Sequence, residues 1–84
     1  MEGDIIVHDD DYYFRVIRYN VRKYRIKANM TQQEFADSAG VTMNYISKIE
    51  SEKMRRGLSI VVLGRIADGL KIDIRKLFDD IDEK

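Results

Sequence analysis

Three side chains in the middle of the sequence are of types that can contact the edges of base pairs. Asn44 and Lys48 are four residues apart, so a helix would place them on one ridge, with Met43 beside them. A carboxamide can pair bidentately with adenine, an ammonium group can donate to guanine, and a thioether offers apolar contact to a thymine methyl. An ordinary solvated helix face is the alternative interpretation.

The stretch from residue 31 to residue 51 contains the elements that would position these side chains. Thr31 and Glu34 form a predicted capping box, and Gly40 supplies the left-handed residue that ends this helix. Thr42 caps a second predicted helix. The apolar positions of the two helices recur at helical spacing and are Phe35, Ala36, Ala39, Ile46 and Ile49. Two short amphipathic helices joined by a sharp turn containing glycine predict a helix-turn-helix, which lays its second helix in the DNA major groove. An ordinary pair of packed helices is the alternative.

The rest of the sequence predicts three further helices. The aspartates at 9–11 supply an N-cap for a long first helix that runs to about Lys27. Ser59 caps a fourth helix that runs to about Leu70, and Asp73 caps a short fifth helix. The fourth helix has Gly69 and Lys71 at its predicted end and a core stripe at Ile60, Leu63, Ile66, Ala67 and Leu70. We therefore predict an all-α fold, a compact five-helix bundle.

Composition divides the chain into one domain and two tails. Residues 1–10 form an N-terminal tail, in which 5–7 is either a short edge strand, a contact to a partner subunit or a frayed segment. Residues 11–78 form the helix-turn-helix domain, and residues 79–84 form an acidic C-terminal tail. Acids concentrate at the two ends, whereas every charged residue from 15 to 27 is positive, so the formal net charge of zero conceals a basic face.

The composition also argues against several classes of protein. The 84 residues include no cysteine and one histidine, which indicates a reducing cytoplasm and excludes a disulfide framework or a Cys-based zinc site. His8 has no second ligand at metal spacing, and we interpret it as a surface residue, so we expect no metal and no cofactor. The apolar run at 5–7 is too short for a signal peptide or a membrane span. There is no Gly-rich phosphate loop and no H-E-x-x-H, and we expect neither an enzyme nor a small-molecule ligand.

Four segments resemble, in order and spacing, the Cro/C1-type (XRE) helix-turn-helix regulators, which include phage repressors and restriction–modification controller proteins. They are VRKYR at 21–25, MTQQEFA at 30–36, AGVTMNYISKIE at 39–50 and LSIVVLGRIADGLKIDIRKLF at 58–78. This resemblance implies a bundle of the lambda-repressor-like DNA-binding type. It also implies a sequence-specific transcription regulator that binds a palindromic operator as a homodimer through the major groove, with repression by promoter occlusion as the simplest mechanism.

The resemblance implies roles for individual residues. It places Met43, Asn44 and Lys48 where the family reads base edges. It places contacts to the DNA backbone or groove wall at Gln32, Thr42, Tyr45 and Ser47. Arg25 and Glu50 occupy the positions of a structural ion pair between the first helix and the end of the third. In the loop after the recognition helix, the cations expected to neutralise phosphates are Lys53, Arg55 and Arg56.

The apolar residues late in the chain predict a dimer interface. Ile74, Phe78 and Ile81 exceed what a short fifth helix needs to bury, so we expect some of them to form a two-fold interface, with Phe78 in the core as the alternative.

The alternative function is a helical protein-interaction adaptor or an antitoxin-like module without strong DNA binding of its own. Salt-dependent binding to double-stranded DNA discriminates between these functions.

Overall fold

The computed structural model describes residues 7–51, 54 and 57–81. These residues form four α-helices and a final 3-10 helix, with no strand among them. The elements are α1 Tyr12–Lys27, α2 Gln32–Ala39, α3 Met43–Glu50, α4 Ile60–Leu70 and the 3-10 helix Ile74–Phe78. The predicted all-α bundle is confirmed, and its fifth helix is a 3-10 helix. The expectations for residues 5 and 6 and for the tail after Ile81 lie outside the described residues.

Local hydrogen bonds define the ends of α2 and the start of α3. Thr31 Oγ1 accepts from the Glu34 amide at 3.0 Å, and the Thr31 amide donates to Glu34 Oε1 at 2.9 Å, which is the predicted capping box. Gly40 ends α2 with a φ of 72°, a conformation that glycine adopts without steric cost. Thr42 Oγ1 then accepts from the Tyr45 amide at 3.1 Å and caps α3. Each threonine cap depends on a residue three positions away, and the Gly40 cap depends on the conformation of one residue, which is why the sequence revealed them.

The core lies where α2 packs against α3 and α4, and where α1 packs against α3 and the 3-10 helix. It contains Ile17, Val21, Phe35, Ala36, Ala39, Ile46, Ile49, Leu63, Ile66, Ala67, Leu70 and Leu77. Ile60 was predicted to belong to the core stripe of α4, and this prediction is wrong because 71% of its surface is exposed. Ile60 shares the helical spacing of the stripe, but it is the first residue of α4, where the stripe runs out of packing partners.

The closest approach of two helices joins α2 to α4. A Cβ atom built on Gly69 would lie 2.8 Å from both Cα and Cβ of Ala39, so no larger side chain fits between the helices. Gly69 therefore belongs to the interior packing of α4 and does not end the helix. The residue that ends it is Lys71, whose φ is 59°.

A polar contact fastens the C-terminal segment to α1. Asn20 is fully buried, and its Nδ2 donates to the carbonyl of Leu77 at 3.0 Å and to that of Asp79 at 2.9 Å. Tyr24 OH donates to Asp79 Oδ2 at 2.6 Å, and this hydrogen bond raises the pKa of the Tyr24 hydroxyl. Asn20 Oδ1 is buried without a hydrogen-bond partner. We call these contacts of Asn20 and Tyr24 the C-terminal clip.

Candidate nucleic-acid interface

The helix α3 has one buried face and one exposed face. Ile46 and Ile49 are buried in the core and hold the helix against α1 and α2. The exposed side chains are Met43, Asn44, Ser47 and Lys48. These four positions are spaced so that they share the outer face, and the structure thus brings the three predicted base-reading residues together. Their amide, ammonium and thioether groups are free to meet a ligand that lies along α3.

Three residues predicted to contact the DNA backbone or groove wall have hydrogen bonds within the protein, namely Gln32, Thr42 and Tyr45. Thr42 lies exposed at the start of α3, where its hydroxyl oxygen is the helix cap. Tyr45 is half-buried, and its OH donates to the carbonyl of Gly57 at 2.8 Å. Burial raises the pKa of the Tyr45 hydroxyl. The sequence did not reveal this anchoring of the following loop, because no local pattern links residues twelve positions apart.

A bidentate ion pair joins α1 to the end of α3. Arg25 Nε donates to Glu50 Oε2 at 2.6 Å, and Arg25 Nη2 donates to Glu50 Oε1 at 2.9 Å. The side chains are 12% and 2% exposed, so the pair is shielded from solvent. Hydrogen bonding to Glu50 raises the pKa of the Arg25 guanidinium, which is therefore charged at any physiological pH. Arg25 Nη1 also donates to the carbonyl of Met30 at 2.8 Å, just before α2.

Glu50 also contacts α2 and a second residue of α1. Gln32 Nε2 donates to Glu50 Oε1 at 3.2 Å, which links the first turn of α2 to the last residue of α3. Arg22 Nη1 lies 3.9 Å from the same oxygen. One carboxylate therefore holds three helices in register. Apart from the place of Arg22 in a basic helix, no sequence pattern indicated this contact.

The predicted phosphate-binding loop is only partly described. Lys53, Arg55 and Arg56 lie outside the described residues. Met54, between them, is half-buried and packs against the core. Gly57, which follows them, accepts the hydrogen bond from Tyr45 and has a φ of 94°. The core and α3 thus hold Met54 and Gly57 in place, and the predicted cations flank these residues in sequence.

The predicted dimer residues differ in exposure. Phe78 is 45% exposed, whereas Ile74 and Ile81 are half-buried and Ile74 packs against the core. Two further apolar side chains, Ile60 and Val61, are exposed at the start of α4, where Val61 is 63% exposed. The 3-10 helix that contains Ile74 and Phe78 packs against α4. Among the described helices, none is both long enough and apolar enough to cross a lipid bilayer.

Comparison with known proteins agrees with this architecture. The helix-turn-helix family HTH_3 matches residues 21–77, which include α2, the turn and α3. Control protein C.MunI from Mycoplasma sp is 36% identical to this chain over 58 residues, which are 69% of this chain and 76% of that protein.

Solved structures of controller proteins have the same fold. The restriction-modification controller protein C.AhdI from Aeromonas hydrophila superposes with a TM-score of 0.70 and 25% identity, over 77% of this chain and 96% of that one. The wild-type restriction-modification controller protein C.Esp1396I superposes with a TM-score of 0.71 and 28% identity, over 81% of this chain and 86% of that one. This chain belongs to the XRE-type (HTH_3) helix-turn-helix family of DNA-binding transcription regulators.

Proposed function

We propose that this protein regulates transcription by binding a palindromic operator as a homodimer, with α3 of each subunit in the major groove. The observation that carries this proposal is the outer face of α3, where Met43, Asn44 and Lys48 lie together and exposed. An α-helix fits the major groove, and the donor and acceptor pattern of each base pair is unique there.

Each of these side chains has a chemical role in base recognition. The Asn44 carboxamide pairs with adenine N6 and N7, and the Lys48 ammonium donates to guanine O6 and N7. Met43 makes apolar contact with a thymine methyl. Recognition depends on these groups being held in place, and the buried Glu50 supports this because it ties the end of α3 to Arg25 and Gln32.

Contacts with the phosphates orient the recognition helix. Gln32 and Thr42 lie at the starts of α2 and α3, where free helix amides and the helix dipole favour anions. Ser47 is exposed on α3, and Tyr45 is half-buried on the same helix. The loop cations Lys53, Arg55 and Arg56 complete this set of backbone contacts. Such contacts position the protein on DNA but discriminate little between sequences.

A second copy of the chain binds the second half-site of the operator. Helix-turn-helix dimers bind half-sites about 34 Å apart on one side of the duplex. Exposed apolar side chains on α4 and the 3-10 helix support a two-fold contact there through Phe78, Ile60 and Val61. The other two candidates for this contact, Ile74 and Ile81, are half-buried. Replacing Phe78 with serine should convert dimers to monomers in sedimentation velocity; a wild type that is strictly monomeric with and without DNA would contradict the dimer.

The relatives indicate the regulatory role. The restriction-modification controller proteins C.AhdI and C.Esp1396I share the fold and 25–28% of aligned residues with this chain, and control protein C.MunI shares 36% of residues over 58 positions. We propose that this chain is likewise a controller acting on DNA in the cytoplasm, and that occluding a promoter is its simplest mechanism.

Selection from a random pool of duplexes tests the proposal directly. We expect the wild type to enrich a palindromic site with half-sites about one helical turn apart. Enrichment of a single non-repeated site would contradict the dimeric mode. Binding that resists 200 mM salt equally on selected and scrambled duplexes, or no binding at all, would contradict sequence-specific recognition.

Substitutions on α3 test the base-reading residues. Asn44→Ala and Lys48→Ala should each weaken binding to the selected site by about 1–3 kcal/mol and relax the preference at particular base pairs. Lys53→Ala or Arg55→Ala should instead weaken binding to all duplexes alike and reduce the salt slope by about one. Titrations on selected and scrambled duplexes at two salt concentrations separate these effects. An equal loss on both duplexes for Asn44→Ala and Lys48→Ala would show that these residues do not read bases.

A further inference from the structure

We propose that a basic groove beside α1 binds the phosphates of duplex DNA that flanks each half-site, and so extends the interface beyond the recognition helix. We call it the α1 groove. Its volume is about 730 Å³. It is lined by Arg15, Arg18, Tyr19, Arg22, Lys23, Ile26, Lys27, Glu50 and Ile81. This inference rests on the proposed function, because the groove acts on DNA that α3 has already bound.

The groove presents one sign of charge to solvent. Five cations line it, and Glu50 is the one carboxylate among the lining residues. The oxygens of Glu50 already accept hydrogen bonds from Arg25 and Gln32 inside the protein, so its charge is compensated there. Of these cations, Arg18, Lys23 and Lys27 have no carboxylate partner among the described residues, so they are available to an external polyanion.

The spacing of the cations gives the groove its direction. They extend along α1 from Arg15 to Lys27. Twelve residues of helix rise by about 18 Å. One strand of B-DNA carries a phosphate about every 3.4 Å along the axis, so about five phosphates span this length. A stripe of this length suits an extended polyanion better than a single small anion.

The C-terminal clip positions one lining residue of the groove. Asn20 and Tyr24 hold the backbone and side chain of Asp79 against α1, and Ile81 lies in the groove two residues later. Phosphate oxygens would meet the cations, while Tyr19 and Ile26 offer apolar contact to the sugars. The groove therefore combines cations with apolar side chains.

Continuity with α3 favours duplex DNA as the occupant. Glu50 is the last residue of α3 and lines the groove, and Lys27 is the last residue of α1, shortly before the start of α2. We call residues 31–51, which contain α2, the turn and α3, the recognition unit. The groove thus begins where the recognition unit ends. An acidic protein surface would have no such reason to meet α3, and we treat it as a competing outcome of the test.

Two of the cations are the best sites for substitution. Arg15 has a carboxylate neighbour in Asp9, with Nη1 3.6 Å from Oδ1, and Arg22 lies near Glu50. Within the described part of the chain, Arg18 has no ion pair, and Lys23 contacts only the ring of Tyr24, with Nζ 4.9 Å from the centroid. Neither residue takes part in base recognition or in holding Glu50.

The experiment uses the duplex selected by the wild-type protein in two lengths. The short duplex ends at the outer edges of the half-sites, and the long one adds about ten base pairs, one helical turn, on each side. The test variant is Arg18→Gln with Lys23→Gln. The control is Lys71→Asn with Lys76→Gln, which removes the same charge from exposed sites outside the groove and places asparagine at the left-handed position 71.

We expect the wild type and the control to bind the long duplex at least tenfold more tightly than the short one at 50 mM salt, with a steeper salt slope. The test variant should bind both lengths alike, with a slope on the long duplex lower by about two per subunit, and match the control on the short duplex within twofold.

Three results would overturn the inference. One is a wild type that binds both lengths equally. Another is a test variant that gains from the longer duplex as much as the control does, which would leave an acidic protein surface as the occupant of the groove. The third is an equal loss by the test variant on both lengths, which would indicate a general charge effect. If no variant binds the short duplex specifically, the proposed function itself fails, and this result is distinct from the other three.

Discussion

Contacts between near neighbours in sequence define the helix starts of the recognition unit, whereas contacts between distant residues attach the C-terminal segment. In the recognition unit, Thr31 contacts Glu34 and Thr42 contacts Tyr45, so each cap spans three residues. In the C-terminal clip, Asn20 contacts carbonyls 57 and 59 positions away. The surface proposed to read DNA is thus specified locally, whereas the attachment of the C-terminal segment depends on contacts that exist only once the chain has folded.

Glu50 links a locally specified helix to a long-range contact. It ends the locally specified helix α3, yet its partner Arg25 lies 25 residues earlier, on the helix that also bears the C-terminal clip. Changes at Glu50 should therefore affect both regions together, while changes at other positions should separate them.

Glu50→Ala should have the largest effect, because it leaves Arg25 as a buried charge without its bidentate partner. We expect a loss of about 3–5 kcal/mol in the free energy of unfolding, measured by urea denaturation. Asp37→Ala, which removes an exposed carboxylate from α2, is the control and should change stability by no more than about 0.5 kcal/mol. Arg25→Leu with Glu50→Leu should be less damaging than Glu50→Ala alone. A urea denaturation curve of Glu50→Ala that matches that of the wild type would show that the ion pair does not join the recognition unit to the helix of the C-terminal clip.

Asn20→Ala should disrupt the C-terminal clip. It leaves the carbonyls of Leu77 and Asp79 without their donor and opens a small cavity. We therefore expect the free energy of unfolding to fall by about 2–4 kcal/mol. Tyr24→Phe removes one partly exposed hydrogen bond and should cost less. Hydrogen exchange should show faster exchange at the amides of 77–79 in Asn20→Ala than in Tyr24→Phe. Equal losses for the two variants would mean that burial does not set the strength of the clip.

Gly69→Ala tests the close packing of α2 on α4. The added methyl would meet the backbone of Ala39 at 2.8 Å, so we expect a loss of about 1–3 kcal/mol as the helices move apart. Gly64→Ala is the matched control in the same helix, since a Cβ there meets nothing within 4 Å. Because alanine favours the helix, Gly64→Ala should stabilise by roughly 0.5–1 kcal/mol. The prediction fails if the two substitutions shift the urea midpoint in the same direction.

Asp73→Asn should have the smallest effect, and it should depend on pH. Hydrogen bonds from Arg75 lower the pKa of Asp73 to about 2 from 3.8. Since the folded pKa lies below the unfolded one, this contribution to stability is present above about pH 4 and is lost as the pH falls through about 2. The pair is exposed, so the difference between wild type and variant should be small at pH 7 and shrink towards pH 2. A difference in urea midpoint that stays constant from pH 7 to pH 2 would exclude the ion pair as its cause.

Much of the recognition unit was predictable because its signals are short-range. Thr31, Glu34, Gly40 and Thr42 act within one helical turn, and apolar spacing indicated the buried faces of α2 and α3. The same spacing placed Met43, Asn44 and Lys48 on an outer face. The all-α class and the helix-turn-helix therefore followed from the sequence alone.

Tertiary structure decided which residues meet across the bundle. Helical periodicity shows which face of a helix is apolar, but not which neighbour covers it, or whether any does. Ile60 therefore appeared to be a core residue, and Gly69 appeared to be a helix end. The bond from Tyr45 to Gly57 and the clip at Asn20 also depend on where distant segments pack, and no local pattern encodes that.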